Sequence, residues 1–482
     1  MKNWFDYILF HTRTHPEKPA MVMEDRVVTY AMLQAGIERC AHRIAALDIA
    51  LNGPVAVLIR NPIRHLTMCF ALFRLGIATI SLEHAQSGIG RLKFAAVLGD
   101  DAENVVDPGN RVIAVTDEWF GGDRSGETKF GSGFSAATQL CRASLTSGST
   151  GAPKIVNHTV ADVGRRIPPF IAINWNVALC MPGLSSNWCF TTACAVLATG
   201  RTLCFAESPF QAIRMIELFA IDFVMASTEQ LLVLTRVARK SGAHLQSLRT
   251  IWIGGTVPSR ALLEAAMIYL CRNILCRYAA SEIGLMAQAT AAEVLASPGL
   301  VGHIVPGVDI AIFDAHGGRC QPSELGMVKG RCHDETIGSA SSQQTGDWID
   351  LGDVGWLNPQ GQLYIVGRAS DGSMVGTQDP ADLRSSVLQE AEHVLRLEWD
   401  ATDAAAVFVD DATSSLRQIW IAIVGNKDVS AEGIAAALRA RGIDYPIRLM
   451  RLKAVPRGAN GKVSREQLKS LMLASTFGIE RA

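Results

Sequence analysis

The sequence predicts an α/β protein. Residues 1–368 read as a large N-terminal domain of doubly wound α/β sheets with a small β-rich subdomain, and residues 369–482 as a smaller α+β domain. Three observations predict this. Up to Gly299, short apolar runs alternate with amphipathic helical stretches, the pattern of a parallel sheet with crossover helices. Beyond Gly299 the texture changes to short strands and tight turns. The chain of 482 residues exceeds what one core normally supports, and the polar stretch from Ala369 to Asp382 divides it.

In order, residues 4–12 resemble a short helix. Thr29 then reads as the N-cap of a helix whose apolar residues Leu33, Ile37, Cys40, Ile44 and Leu47 recur at helical spacing. Residues 54–60 form a buried strand, 62–75 a helix and 77–82 the next strand, and strand–helix–strand at this spacing implies parallel pairing. Glycine-rich stretches between 98 and 140 mark loops. Residues 160–170 read as helix, and Ala172–Trp175 and Leu203–Phe205 as strands joined by Met181–Thr199. Strands follow at 221–226 and 248–253. After the hairpin-rich part, the last hundred residues give a helix near 384–397, strands near 405–410 and 417–424, a helix near 430–441 and a final helix from about Ser464.

Composition bounds the function. A hydrophobic share of 49% with 19% charged residues describes a compact enzyme, and a net charge of −1 offers no basic field for nucleic acid. The pair Arg165-Arg166 reads as solvated surface. Eleven scattered cysteines with no C-x-x-C pair read as small apolar residues in a reducing, cytoplasmic setting. Neither a signal peptide nor a membrane span is expected, because no long uninterrupted apolar run occurs. The oligomeric state is left open.

The stretch with the most chemistry is Leu145 to Lys154. Glycines let backbone N–H groups turn toward an anion, Ser and Thr add hydroxyl donors or a metal ligand, and lysine adds a point charge. Thr146, Ser147, Gly148, Ser149, Thr150, Gly151 and Lys154 therefore read as a phosphate cradle. Walker spacing is excluded, because Gly148, Gly151 and Lys154 stand three apart and Ile155 follows the lysine. Further on, Gly254-Gly255-Thr256 close a predicted strand at its carboxyl end, where ligands sit in open α/β sheets. Tyr278-Ala279-Ala280-Ser281-Glu282, Asp350-Leu351-Gly352-Asp353, Gly367-Arg368 and Gly461-Lys462 follow. Each has an ordinary reading when taken singly: a strand-to-helix turn, a turn acid, an exposed linker arginine, a surface loop.

Together, and in this order, these motifs resemble those of the acyl-adenylate-forming superfamily, which includes acyl- and aryl-CoA synthetases, nonribosomal peptide synthetase adenylation domains and luciferase. The resemblance covers nearly the whole chain. It implies an AMP-forming acid–thiol ligase using Mg²⁺, ATP and coenzyme A on a small-molecule carboxylic acid. Tyr278 would stack on adenine, with Gly254, Gly255, Thr256, Ala279 and Ser281 around the nucleotide. Asp353 would accept from the ribose hydroxyls and Arg368 would contact ribose or phosphate. Glu282 and Thr150 would hold magnesium, which suits a cation that prefers carboxylate and phosphate oxygens. Lys462 would bridge the acid and the α-phosphate, so Lys462, Glu282 and Thr150 are the expected catalytic residues, and the C-terminal domain is expected to be mobile. Ser185, Asn187, Trp188 and Met286 are the expected substrate pocket. No carboxylate lies in Gly183–Thr192, which points to a neutral-tailed acyl or aryl acid. The chain departs from the family at Ala369 to Gly376. Two alternatives therefore stand: loading of a carrier protein's phosphopantetheine, and a nucleotide- or acyl-AMP-binding protein without turnover.

Overall fold

The structure, a computed structural model, describes residues 3–49, 53–83, 93–100, 110–121, 133–147, 153–333, 348–369, 384–410, 417–425, 429–457, 463–474 and 479–481. Among them three sheets form. The largest has thirteen strands. Its parallel part runs through Pro19–Met23, Thr202–Cys204, Val177–Cys180, Phe223–Ser227, Thr250–Gly254 and Ile274–Ala280. From Ile274–Ala280 it continues antiparallel through Gly284–Thr290, Leu300–Ile304, Gln362–Arg368, Ile349–Leu357, Gly326–Cys332 and Val308–Phe313. One continuous sheet thus joins the predicted α/β part to the predicted hairpin-rich part.

The second sheet has six strands. Val112–Ala114, Ala96–Gly99, Val55–Leu58, Thr79–Ser81 and Leu140–Ser147 are parallel neighbours, and Pro153–Thr159 closes the edge antiparallel. Local chemistry explains the helices between strands. Thr29 accepts from the Met32 N–H at 3.2 Å, and Asn61 accepts from the Ile63 and Arg64 N–H groups ahead of Pro62, so each helix starts on a side-chain cap. Helix Thr228–Ser241 begins on a capping box between Ser227 and Gln230 and stops at Gly242, whose φ of 63° favours glycine.

Two expected elements differ. The strand placed at Ala172–Trp175 lies at Val177–Cys180. Trp175 is instead buried, stacked on Phe223 at 4.9 Å with the Arg201 guanidinium 4.1 Å from its ring. The helix over 160–170 is two short ones, Val160–Gly164 and Pro168–Ile171, because prolines at 168 and 169 have no N–H with which to continue a helix. Helix Asn187–Ala198 was not expected within the connecting stretch. It is buried nearly all round, so no apolar stripe marks it.

The third sheet pairs Asp403–Asp410, Arg417–Val424, Ile447–Arg451 and Ile479–Arg481, with its own apolar cluster. Helix Arg384–Glu398 serves two cores. Leu388, Ala391 and Leu395 pack on this sheet, whereas Val394 and Leu397 join the apolar cluster behind the thirteen-stranded sheet. The expected boundary at 368/369 adjoins residues 370–383, which lie outside the described residues. Among the described residues no helix is long and apolar enough to cross a membrane. All eleven cysteines are free, and eight of them are buried.

Candidate active site

The predicted cradle connects two antiparallel strands. Thr146 pairs with Lys154 and Ser147 with Pro153, so the ends of the loop are pinned by the sheet. Gly148, Ser149, Thr150 and Gly151 lie outside the described residues, as do the side chains of Thr146 and Ser147 and, at the other end of the chain, Gly461 and Lys462. Lys154 is described. Its Nζ stands 3.7 Å from Oε1 of Glu282, with 52% of the lysine and 21% of the glutamate side chain exposed.

Glu282 lies in the three-residue turn Ser281–Ile283 of the hairpin formed by Ile274–Ala280 and Gly284–Thr290. The same hairpin carries Tyr278. The pairing register shifts between Tyr278 and Ala279, a bulge that locally redirects side chains. A second shift, between Val328 and Lys329, faces the segment Asp350–Asp353, where Gly352 takes a φ of 69°. These two irregularities meet. The Tyr278 hydroxyl donates to Oδ2 of Asp353 at 2.6 Å, and Arg368 donates to Oδ1 at 3.0 Å and to the Leu351 carbonyl at 2.6 Å. Burial, followed by the charge of Asp353, pushes the Tyr278 hydroxyl well above its ordinary range, so it stays protonated as a donor. Each carboxylate oxygen of Asp353 has a second lone pair for a further donor.

Gly254 ends its strand where a side chain has no room. A Cβ there would stand 3.0 Å from the Arg277 carbonyl and 3.3 Å from the Trp188 ring. Gly255 has a φ of 100°, and the next carbonyl, of Thr256, is held by the Thr228 hydroxyl at 2.7 Å. Trp188 thus touches the end of this strand. Asn187 is buried, with neither amide atom bonded. Ser185 donates to Glu83, which the sequence does not place in this segment. A carboxylate therefore does adjoin Gly183–Thr192, brought from the end of strand Thr79–Ser81. Met286 is fully buried in the apolar cluster with Ile283, Val301 and Val328. Ala279 is exposed and Ser281 half-buried.

Among the described residues no group of three or more His, Cys, Asp or Glu side chains gathers around a common point. The donor set does not fit an all-protein metal cage. It does fit a hard cation that takes one carboxylate from Glu282 and its other ligands from phosphate oxygens and water.

Arg165 and Arg166 are not solvated surface. Both are half-buried or more and reach the Glu282 turn, Arg165 to the Ile283 carbonyl and Arg166 to the Ser281 carbonyl. Adjacent arginines in sequence give no sign of this, because their partners lie more than a hundred positions away.

The model of one protein family, described as AMP-binding enzyme, matches residues 10–97 and 110–330. The 2-succinylbenzoate–CoA ligase of Bacillus subtilis is 24% identical over 97% of this chain and 97% of its own length. A solved O-succinylbenzoate coenzyme A synthetase from Bacillus subtilis, in complex with AMP, superposes with a TM-score of 0.75 at 22% identity, covering 97% of this chain and 98% of that one. The same enzyme in complex with ATP and magnesium ion gives 0.74 at 22% identity, covering 97% and 99%.

Proposed function

Since the chain belongs to the AMP-binding enzyme family, we propose that it is an ATP-dependent carboxylic acid ligase that forms an acyl-AMP and passes the acyl group to coenzyme A. The observation that carries this reading is the convergence of Tyr278 and Arg368 on Asp353, with Tyr278 on the same hairpin that brings Glu282 to Lys154. The relative solved with ATP and magnesium supports the co-substrate.

In the first half-reaction a carboxylate oxygen of the acid attacks the α-phosphorus, the bond to the bridging oxygen breaks, and pyrophosphate leaves. In the second, a thiolate attacks the acyl carbon and AMP leaves. No protein nucleophile is needed, so the chain contributes position and charge. Asp353 accepts from the ribose hydroxyls, held in place by Tyr278 and Arg368, and Tyr278 offers its ring to adenine. Lys154 faces the phosphates. Glu282 and Thr150 would hold magnesium, which when bound would neutralise charge on the phosphate oxygens. Lys462 bridges the acid and the α-phosphate during adenylation, and residues 369–482 form the domain that reorients between the half-reactions. Ser185, Asn187, Trp188 and Met286 surround the body of the acid.

The test is pyrophosphate–ATP exchange across a panel of fatty, aryl and amino acids, followed by AMP release with coenzyme A. Acid-dependent exchange with coenzyme A-dependent AMP release is expected. Exchange that couples only to a phosphopantetheinylated carrier protein would move the acceptor to that carrier. No exchange with any acid would contradict ligase activity.

A further inference from the structure

The turn Ser281-Glu282-Ile283 has only three residues, and its two outer carbonyls are both engaged from the same place. Arg166 Nη2 donates to the Ser281 carbonyl at 3.2 Å, and Arg165 Nη1 donates to the Ile283 carbonyl at 3.4 Å. Glu282 stands between them. Holding the carbonyls of the residues before and after Glu282 restrains the turn that carries its side chain, which is how a supporting shell presents a ligand.

Both arginines are themselves held. Arg165 Nη2 lies 3.4 Å from Oδ1 of Asp162, and its Nη1 also donates to Cys332 Sγ at 3.1 Å, on the strand next to the one that carries Asp353. Asp162 is anchored in turn, since its other oxygen accepts from the Thr159 N–H at 2.8 Å and the Thr159 hydroxyl at 2.7 Å in a capping box. Arg166 packs against Gly284, where a Cβ would stand 3.3 Å from its Nε and where φ is 98°. Burial, and then the neighbouring Arg165, lower the Arg166 guanidinium to about 10. Its Nε has no partner among the described residues. A buried cation that no carboxylate neutralises directly is costly, and this one is placed on the backbone of a turn that bears a candidate metal ligand.

The connection to the cradle is direct. Strand Pro153–Thr159 leaves the glycine loop carrying Lys154, the Thr159 cap turns it into helix Val160–Gly164, and the two arginines follow. One short unit therefore meets Glu282 from two sides.

We propose that Arg165 and Arg166 are positioning residues that hold the Ser281–Ile283 turn so that Glu282 presents its carboxylate to the nucleotide-bound divalent cation. This rests on the reading of Glu282 as the metal ligand. Removing a supporting partner of a metal ligand typically weakens metal binding by about 10–100-fold.

The experiment is titration of Mn²⁺ by electron paramagnetic resonance into the full chain saturated with a non-hydrolysable ATP analogue, for wild type, Arg166→Met, Arg166→Lys, Arg165→Met and Glu282→Gln. Arg166→Met should raise the Mn²⁺ dissociation constant by about 10-fold or more. Arg166→Lys should recover part of that, and Arg165→Met should show a smaller rise, while AMP affinity measured without metal stays at the wild-type value. An unchanged Mn²⁺ constant in folded Arg166→Met and Arg165→Met, alongside a raised one in Glu282→Gln, overturns the positioning role and leaves the metal ligand intact. An unchanged constant in Glu282→Gln overturns the metal assignment itself. If Arg166→Met does not fold, Arg165→Met and Arg166→Lys decide by the same criterion.

Discussion

Two polar clusters in this chain use the same residue types to opposite ends. The cluster of Tyr278, Asp353, Arg368, Glu282 and Lys154 stands half-open. Glu282 has a single ion pair among the described residues, at 3.7 Å, longer than a hydrogen bond. The cluster on helix Arg384–Glu398 and the Asp400 that follows it is paired across elements. Glu390 accepts from the Arg260 and Ala261 N–H groups at 2.7 and 3.1 Å, capping helix Arg260–Tyr269 from another part of the chain. His393 bonds the Ser259 hydroxyl at 2.8 Å, Arg396 forks onto Glu229, and Asp400 takes Arg236 and Lys240 at 3.0 and 2.7 Å. Groups paired across elements fasten one to another; a carboxylate with one long ion pair can bind something else. Charge alone does not separate a candidate site from a joint.

Substitutions sharpen that comparison. Asp353→Ala should have the largest effect. It removes the proposed acceptor for the ribose hydroxyls and leaves Tyr278 and Arg368 without their shared partner, so pyrophosphate exchange at limiting ATP should fall by about 10²-fold. The unpaired Tyr278 hydroxyl and Arg368 should also lower its thermal midpoint, by no more than about 1–3 kcal/mol of stability. A large drop in midpoint with unchanged ATP dependence would place Asp353 among the fastening groups.

Glu390→Ala should behave in the reverse way. The first turn of helix Arg260–Tyr269 loses its acceptor, a cost of about 1–3 kcal/mol read by denaturant or thermal unfolding. ATP affinity by calorimetry should remain within about twofold of wild type. A parallel loss of ATP affinity would break the distinction between the two clusters.

A further prediction concerns pH. Burial lowers His393 to about 4, so it is neutral in the fold, whereas the unfolded chain protonates it near its ordinary value of about 6.5. The unfolded state therefore binds more protons between those values. This contribution to stability is present above about 6.5 and is lost as pH falls toward about 4. His65, also lowered to about 4 by burial, acts in the same direction. Unfolding free energies measured between pH 7 and 4.5 should fall, and His393→Gln should flatten that fall in part; an identical slope in the variant would remove His393 from the account.

The half-open cluster was the more legible of the two. Glu282 sits in a turn and the others on strands, each within a short motif of fixed local spacing, and the glycines beside them, Gly254, Gly255 and Gly352, answer to a close approach or a positive φ that sequence order already hints at. The paired cluster was not legible. Its pairs are 130, 134 and 167 positions apart, and a helix bearing Glu390, His393 and Arg396 reads as a solvated face until the opposing helix is in place. Arg165 and Arg166 were misread for the same reason. Helix Asn187–Ala198 escaped because full burial erases the periodicity that marks a surface helix. The strand misplaced to Ala172–Trp175 shows the converse error. Bulky apolar residues mimic a strand, while Trp175 is spent on stacking with Phe223.

In the proposed reaction an acid is joined to the α-phosphate of ATP before any thiol is acylated. This order is tested most directly by supplying the acid that supports exchange with both carboxylate oxygens labelled as ¹⁸O, together with ATP, magnesium and coenzyme A, and weighing the products by mass spectrometry. An acyl-AMP leaves one labelled oxygen on phosphorus when the thiol displaces AMP. One ¹⁸O atom in AMP for each thioester formed is the predicted result. Thioester accompanied by unlabelled AMP, or label recovered in inorganic phosphate, would contradict it.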